Sequence, residues 1–205
     1  MSDLIFAPPR LLSPETVRAL RGRGAEIVLF GAGSRAEMRP VAASLGLADA
    51  PAVVEGGAAI VLPRAARSRF ACLNGPAWVA DGDEAVVEIG RPLESWSAEL
   101  GRVRDWAREA YAIDTRGREY SASVAVHGDE PVRRLEAFAA RQDVRLSRVD
   151  DAWLLHARFG RTEAFRQVVE YFRGLGDPCA TLSCALEDVA PADRIVESLD
   201  EFLAG

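Results

Sequence analysis

The chain has 205 residues, of which 25 are basic and 31 acidic, for a formal net charge of -6. Every basic residue is arginine, so the sequence excludes a lysine Schiff base, a P-loop Gly-Lys-Ser/Thr and lysine-dependent phosphoryl chemistry. The acidic balance excludes a generally basic nucleic-acid binder, and no apolar run approaches the roughly 18–20 residues of a membrane span.

The N-terminal MSDLIFAPPR has no basic region followed by an apolar stretch, so no secretory signal is expected. Cys72, Cys179 and Cys184 are an odd number without a Cys-x-x-Cys pair. That pattern argues against a disulfide scaffold or zinc site and suits a reducing cytoplasm. With 49% hydrophobic residues, the chain can bury a sizeable core.

In chain order, Leu4–Phe6 is a brief apolar run ended by Pro8-Pro9. Ser13-Pro14-Glu15 reads as a helix start, with a hydroxyl cap, proline in the first turn and an acid facing the dipole. Gly22 and Gly24 mark its stop. Glu26–Phe30 is predicted as a buried strand, Gly31–Gly33 as a tight turn, and Arg35–Leu45 as a helix bent by Pro40. Ala52–Val54 and Ala58–Leu62 are short strands around Gly56-Gly57. Strand, helix, strand, helix, strand within this stretch predicts a parallel α/β architecture with right-handed crossovers.

The middle of the chain changes character. A strand is predicted at Glu84–Gly90, a helix at Leu93–Ala110, and an alternating strand at Glu119–His127. An amphipathic helix at Pro131–Arg141 and a strand pair at Val144–Val149 and Ala152–Ala157 follow, which together read as an α+β insert. A helix at Thr162–Gly174, short elements at Cys179–Ala185 and Ala192–Val196, and a terminal helix at Glu197–Leu203 complete the expectation.

Gly31-Ala32-Gly33-Ser34-Arg35-Ala36 matches G-x-G-x-x-A between a strand and a helix, and Glu55 lies 22 residues after Gly33. This is the arrangement of an NAD(P)-binding fingerprint, in which the acid reaches a ribose hydroxyl. Against it, a complete strand and helix precede the motif. The simpler reading is a glycine turn and a strand-end acid.

The stretch Glu26–Leu47, with Ser34-Arg35-Ala36-Glu37, followed by Glu55-Gly56-Gly57-Ala58-Ala59-Ile60, resembles the haloacid dehalogenase superfamily. More narrowly it is similar to mannosyl-3-phosphoglycerate phosphatases and related sugar-phosphate phosphatases. The resemblance continues through VVEIGRPLESW, GREYSASVAV and HARFGRTEAFRQVVEYFRGLGD. It implies an α/β fold: a Rossmann-like parallel-sheet core at residues 1–88 plus 160–205, and an inserted, mobile α+β cap at 89–159. It also implies an Asp-x-Asp nucleophile motif after the first strand, Mg²⁺ on acidic ligands, and Ser/Thr and Lys/Arg contacts to phosphate.

This sequence departs from that pattern where the chemistry is done. Pro8 stands in place of the nucleophile and Arg10 in place of the acid/base. Gly31 takes the hydroxyl position and Arg161 the lysine position, while Asp177 in Gly176-Asp177 is the one acid left for a metal. One carboxylate is a poor set for a hard cation. The expectation is a catalytically silent relative, with Arg10, Gly33, Ser34, Arg35, Glu55 and Arg161 as candidate ligand contacts. Such a protein would bind a sugar phosphate or phosphoglycerate, or act as a regulatory subunit with a protein partner or a second copy. A weak Mg²⁺-dependent phosphatase and an NAD(P)-binding domain are the alternatives.

His127 and His156 read as strand-packing residues, and Trp78, Trp96, Trp106 and Trp153 as core and cap packing.

Overall fold

Leu4–Ala7 and Ile27–Phe30 are buried on both faces, as strands covered by helices on either side must be. A computed structural model describes residues 2–69, 78–89, 93–111, 118–126, 128–142, 144–149, 152–156, 161–173, 179–184, 192–196 and 198–204. It contains strands β1 (Ser2–Ala7), β2 (Glu26–Phe30), β3 (Ala52–Val54), β4 (Ala59–Pro63), β5 (Trp78–Asp81) and β6 (Glu84–Glu88). Further along come β7 (Ser121–Val124), β8 (Arg145–Val149), β9 (Ala152–His156), β10 (Cys179–Cys184) and β11 (Arg194–Val196). The helices are α1 (Pro14–Gly22), α2 (Arg35–Ser44), α3 (Leu93–Tyr111), α4 (Asp129–Gln142), α5 (Arg161–Arg173) and α6 (Leu199–Ala204).

Eight strands form one sheet in the order β11-β10-β1-β2-β3-β4-β6-β5. The first five in that order are mutually parallel. β1 pairs with β10 from Ser2–Cys179 to Phe6–Ser183, and with β2 from Leu4–Glu26 to Ala7–Leu29. The remaining three strands run antiparallel to their neighbours, turned back by the Glu55–Ala58 corner and the Gly82-Asp83 hairpin. The fold is therefore α/β with a mixed, mostly parallel central sheet. β7, β9 and β8 form a separate antiparallel sheet, with α3 against β7 and α4 against β8.

Local signals explain the helix ends. Ser13 Oγ accepts the Thr16 amide at 3.1 Å, as the Ser-Pro-Glu start requires. At the other end of the unit, Arg23 donates to the Phe202 and Leu203 carbonyls and so closes the C-terminal turn of α6.

Two differences from the sequence expectations have physical causes. β5 has no signal in the sequence, because four residues are too few to show a period and its partner β6 supplies the ladder. The strand expected at Glu119–His127 is confined to Ser121–Val124. The amides of Glu119 and Tyr120 are turned away from the sheet and onto the Glu55 carboxylate. His127, Asp177 and Cys72 lie outside the described residues.

Candidate functional site

In a parallel sheet the loops that leave the carboxyl ends of the strands meet at one edge, the usual place for a ligand. Here that edge gathers Pro8, the Gly31–Ser34 loop, the Glu55–Ala58 corner and the start of α5. β1 stops at Ala7; Pro8 is buried, and a single 3₁₀ turn over Pro9–Leu11 leads directly to the cap of α1. The turn is closed by the Leu11 amide on the Pro8 carbonyl and the Leu12 amide on the Pro9 carbonyl, both at 3.0 Å. Arg10 projects from it, exposed. Phe6 and Phe165 rings lie 4.2 Å apart, which sets the first turn of α5, and with it the backbone of Arg161, beside the end of β1.

Asp177, the expected metal ligand, lies outside the described residues. β10 begins at Cys179, level with Ser2 at the start of β1, and ends at Cys184, next to the Ser183–Phe6 pair. The first acids after β10 in the sequence are Glu187 and Asp188, outside the described residues. Among the described residues no group of three or more His, Cys, Asp and Glu side chains could hold a metal ion. With proline and arginine at the end of β1, these residues do not fit Mg²⁺, which takes hard oxygen ligands.

The glycine loop is held by backbone, not shaped around a ligand. The Gly31 amide donates to Val53 O at 3.1 Å, the Gly56 amide to Gly31 O at 3.0 Å, and the Glu55 amide to Gly33 O at 2.9 Å. A Cβ at Gly33 would come within 3.2 Å of Met38 Cγ, and one at Gly31 within 3.3 Å of Met38 Sδ. Met38 packs closely against both glycines. Ser34 is buried and forms a capping box with Glu37: the Ser34 amide donates to Glu37 Oε2 at 2.7 Å.

Glu55 is fully buried and adopts a left-handed conformation, φ 48°, rare for a residue other than glycine. Its carboxylate accepts the Glu119 amide at 2.6 Å, the Tyr120 amide at 2.8 Å and the Ser121 hydroxyl at 2.7 Å. Burial pushes its pKa up, against the opposing pull of those three donors and the Arg118 charge. Arg118 donates to the Ala32 carbonyl and pairs with Glu37 at 3.3 Å. Arg104 donates to the Arg118 and Ser121 carbonyls, and its burial lowers its own pKa. Arg35 makes a bidentate pair with Glu119 at 3.1 and 2.8 Å and has Glu84 at 3.9 Å; Arg39 closes Glu84 at 2.8 and 2.6 Å.

Two expectations change. Glu55 cannot reach a ribose hydroxyl, because its oxygens are sealed inside the protein on residues 119–121; with it the NAD(P) fingerprint reading of Gly31-Ala32-Gly33 fails. Arg35 is committed to two carboxylates rather than offered to an anion. Arg104, Arg118, Glu119, Ser121 and Glu84 carry no sequence signal for this role: Arg35 and Glu119, for example, are 84 positions apart.

Elsewhere, His156 is buried with Nε2 at 2.8 Å from Ser147 Oγ, Trp96 is buried, and Trp106 stacks on Phe138 at 3.6 Å. No described helix is long and apolar enough to cross a membrane.

The parallel order β11-β10-β1-β2-β3, extended by an antiparallel hairpin region and accompanied by a second small sheet, is the haloacid dehalogenase-like fold. It is shared over nearly the whole chain with several solved structures. A haloacid dehalogenase-like hydrolase from Bacteroides thetaiotaomicron superposes with a TM-score of 0.62 at 12% identity, covering 98% of this chain and 96% of that one. BT1666 of the same organism, described among phosphatases of the haloalkanoate (HAD) superfamily, gives 0.56 at 12% identity, covering 98% and 91%. A trehalose-6-phosphate phosphatase related protein gives 0.52 at 14% identity, covering 98% and 94%. No protein-family model and no curated protein sequence matches the chain.

Proposed function

We propose that this protein is a non-catalytic haloacid dehalogenase-like module that binds a small phosphorylated metabolite, of the sugar-phosphate or phosphoglycerate class, at the carboxyl edge of its parallel strands. In this reading residues 1–88 and 160–205 are the binding core and 89–159 an inserted cap. The observation that carries it is the end of β1: a buried Pro8 and an exposed Arg10 with no carboxylate between β1 and the cap of α1.

Phosphoryl transfer in this fold class needs a carboxylate nucleophile at that point, and loss of a covalent nucleophile removes several orders of magnitude in rate. What the exchange leaves is a more positive edge. The Arg10 guanidinium and the amides of the first turn of α5 favour an anion, and arginine holds phosphate bidentately without titrating. The choice of metabolite class follows the sequence resemblance and the phosphatases that share the fold.

The test has two arms. p-Nitrophenyl phosphate with Mg²⁺ is expected to show no turnover above buffer; turnover by the purified wild-type protein would overturn the non-catalytic reading. Thermal-shift titration with inorganic phosphate, 3-phosphoglycerate and mannose 6-phosphate is expected to raise Tm, and Arg10→Ala to weaken the effect about tenfold, the worth of one charge-assisted contact. No shift with any of the three would overturn the binding reading.

A further inference from the structure

The resemblance implies a mobile cap, and a mobile cap needs a joint that opens with little loss of contact. The contacts at this joint are of the opposite kind. They are reciprocal: a core carboxylate, Glu55, accepts two consecutive amides and a hydroxyl from residues 119–121, while Arg118 from that same segment donates back to the Ala32 carbonyl and pairs with Glu37. They are buried: Glu55 and Ser121 are fully inaccessible and Tyr120 nearly so. They are reinforced at the rim by the bidentate Arg35–Glu119 pair, with Arg35 also facing Glu84. They also hold a backbone conformation at Glu55 that costs energy in isolation. Opening would leave an unpaired carboxylate on one side and two unpaired amides on the other, each costly unless water reaches it.

We infer that the three-stranded sheet is fastened to the parallel core by this Glu55–Arg118 joint and serves as a fixed roof over the strand-end edge, not as a swinging lid. This inference stands on the joint alone and not on the phosphate reading.

The test is hydrogen exchange on the free, full-length protein, resolved to single amides by NMR. The Glu119 and Tyr120 amides are expected to exchange as slowly as the β1–β2 ladder, because both would open only on global unfolding. In Glu55→Gln those two amides are expected to speed up by about tenfold or more beyond any change in the β1–β2 amides, because the joint then opens locally. Wild-type Glu119 and Tyr120 amides that exchange about tenfold or more faster than the ladder would overturn the inference, since the joint would then open locally. Should Glu55→Gln not fold, Arg118→Gln removes the contacts to Ala32 and Glu37 and is expected to act in the same direction; a fully folded Arg118→Gln with unchanged exchange would count against the lock. Because no ligand is added, failure here leaves the binding proposal to its own test.

Discussion

At the scale of single residues, the strand-end edge is a place where small changes of side chain have redirected the backbone. A methyl group at Gly33 would come within 3.2 Å of Met38 Cγ, so Met38 would have to give by a few tenths of an ångström. Gly33→Ala is expected to cost about 1–2 kcal/mol by overpacking. Met38→Ala alone should also destabilise, by opening a cavity, but the two losses should not add. Urea denaturation of the two single variants and the double variant checks this; strict additivity would show that Met38 is not the reason for the glycine. Pro8 acts differently. It ends β1 by lacking an amide donor; the residue is itself extended, φ -70° and ψ 143°, but its ring has no carboxylate to present.

At the scale of elements, the helix signals read from the sequence are made by the chain's near neighbours and so translate directly into structure. Ser13 caps α1 through the Thr16 amide, and Pro14 and Glu15 follow at the positions their chemistry favours. Ser13→Ala is expected to lower stability by about 1 kcal/mol with no change at the strand-end edge. The loss should appear as a lower urea midpoint, with spectra of Gly31–Ser34 amides unchanged. β5 and the shortened β7 are the converse cases. Trp78–Asp81 becomes a strand only because Glu84–Glu88 lies beside it. Residues 119 and 120 leave the strand pattern because a carboxylate 64 and 65 positions away takes their amides.

At the scale of the whole molecule, the buried Glu55 ties stability to pH. Its pKa is raised in the folded state above the ordinary 4.5, so between that value and its folded pKa the native protein holds more protons than the unfolded chain. Stability therefore falls as pH rises through that window and is flat above it, with a slope of at most about 1.4 kcal/mol per pH unit. Glu15, exposed at the start of α1, has its pKa lowered by the backbone amide and the Ser13 hydroxyl. Its contribution has the opposite sign, present above 4.5 and lost on acidification. Urea midpoints of wild type and Glu55→Gln between pH 3.5 and 8 separate the two, in steps of about half a unit. The descending limb is expected in the wild type and absent in the variant, while the acid limb is expected in both.

The sequence by itself determined the alternation of apolar strands and capped helices, and with it an α/β fold. It also determined the exclusion of lysine chemistry and the absence of any carboxylate from Pro8 to Leu12. These are properties of residue type and of neighbours within a few positions, which local propensity and burial decide. Only the tertiary structure decided that the glycine loop faces Met38, and that Glu55 and Arg35 are consumed in holding the second sheet. Those outcomes depend on strand register and on pairs separated by tens of residues. Their contacts exist only once loop closure has brought distant segments together, and no local pattern in the chain encodes which buried charge will meet which amide.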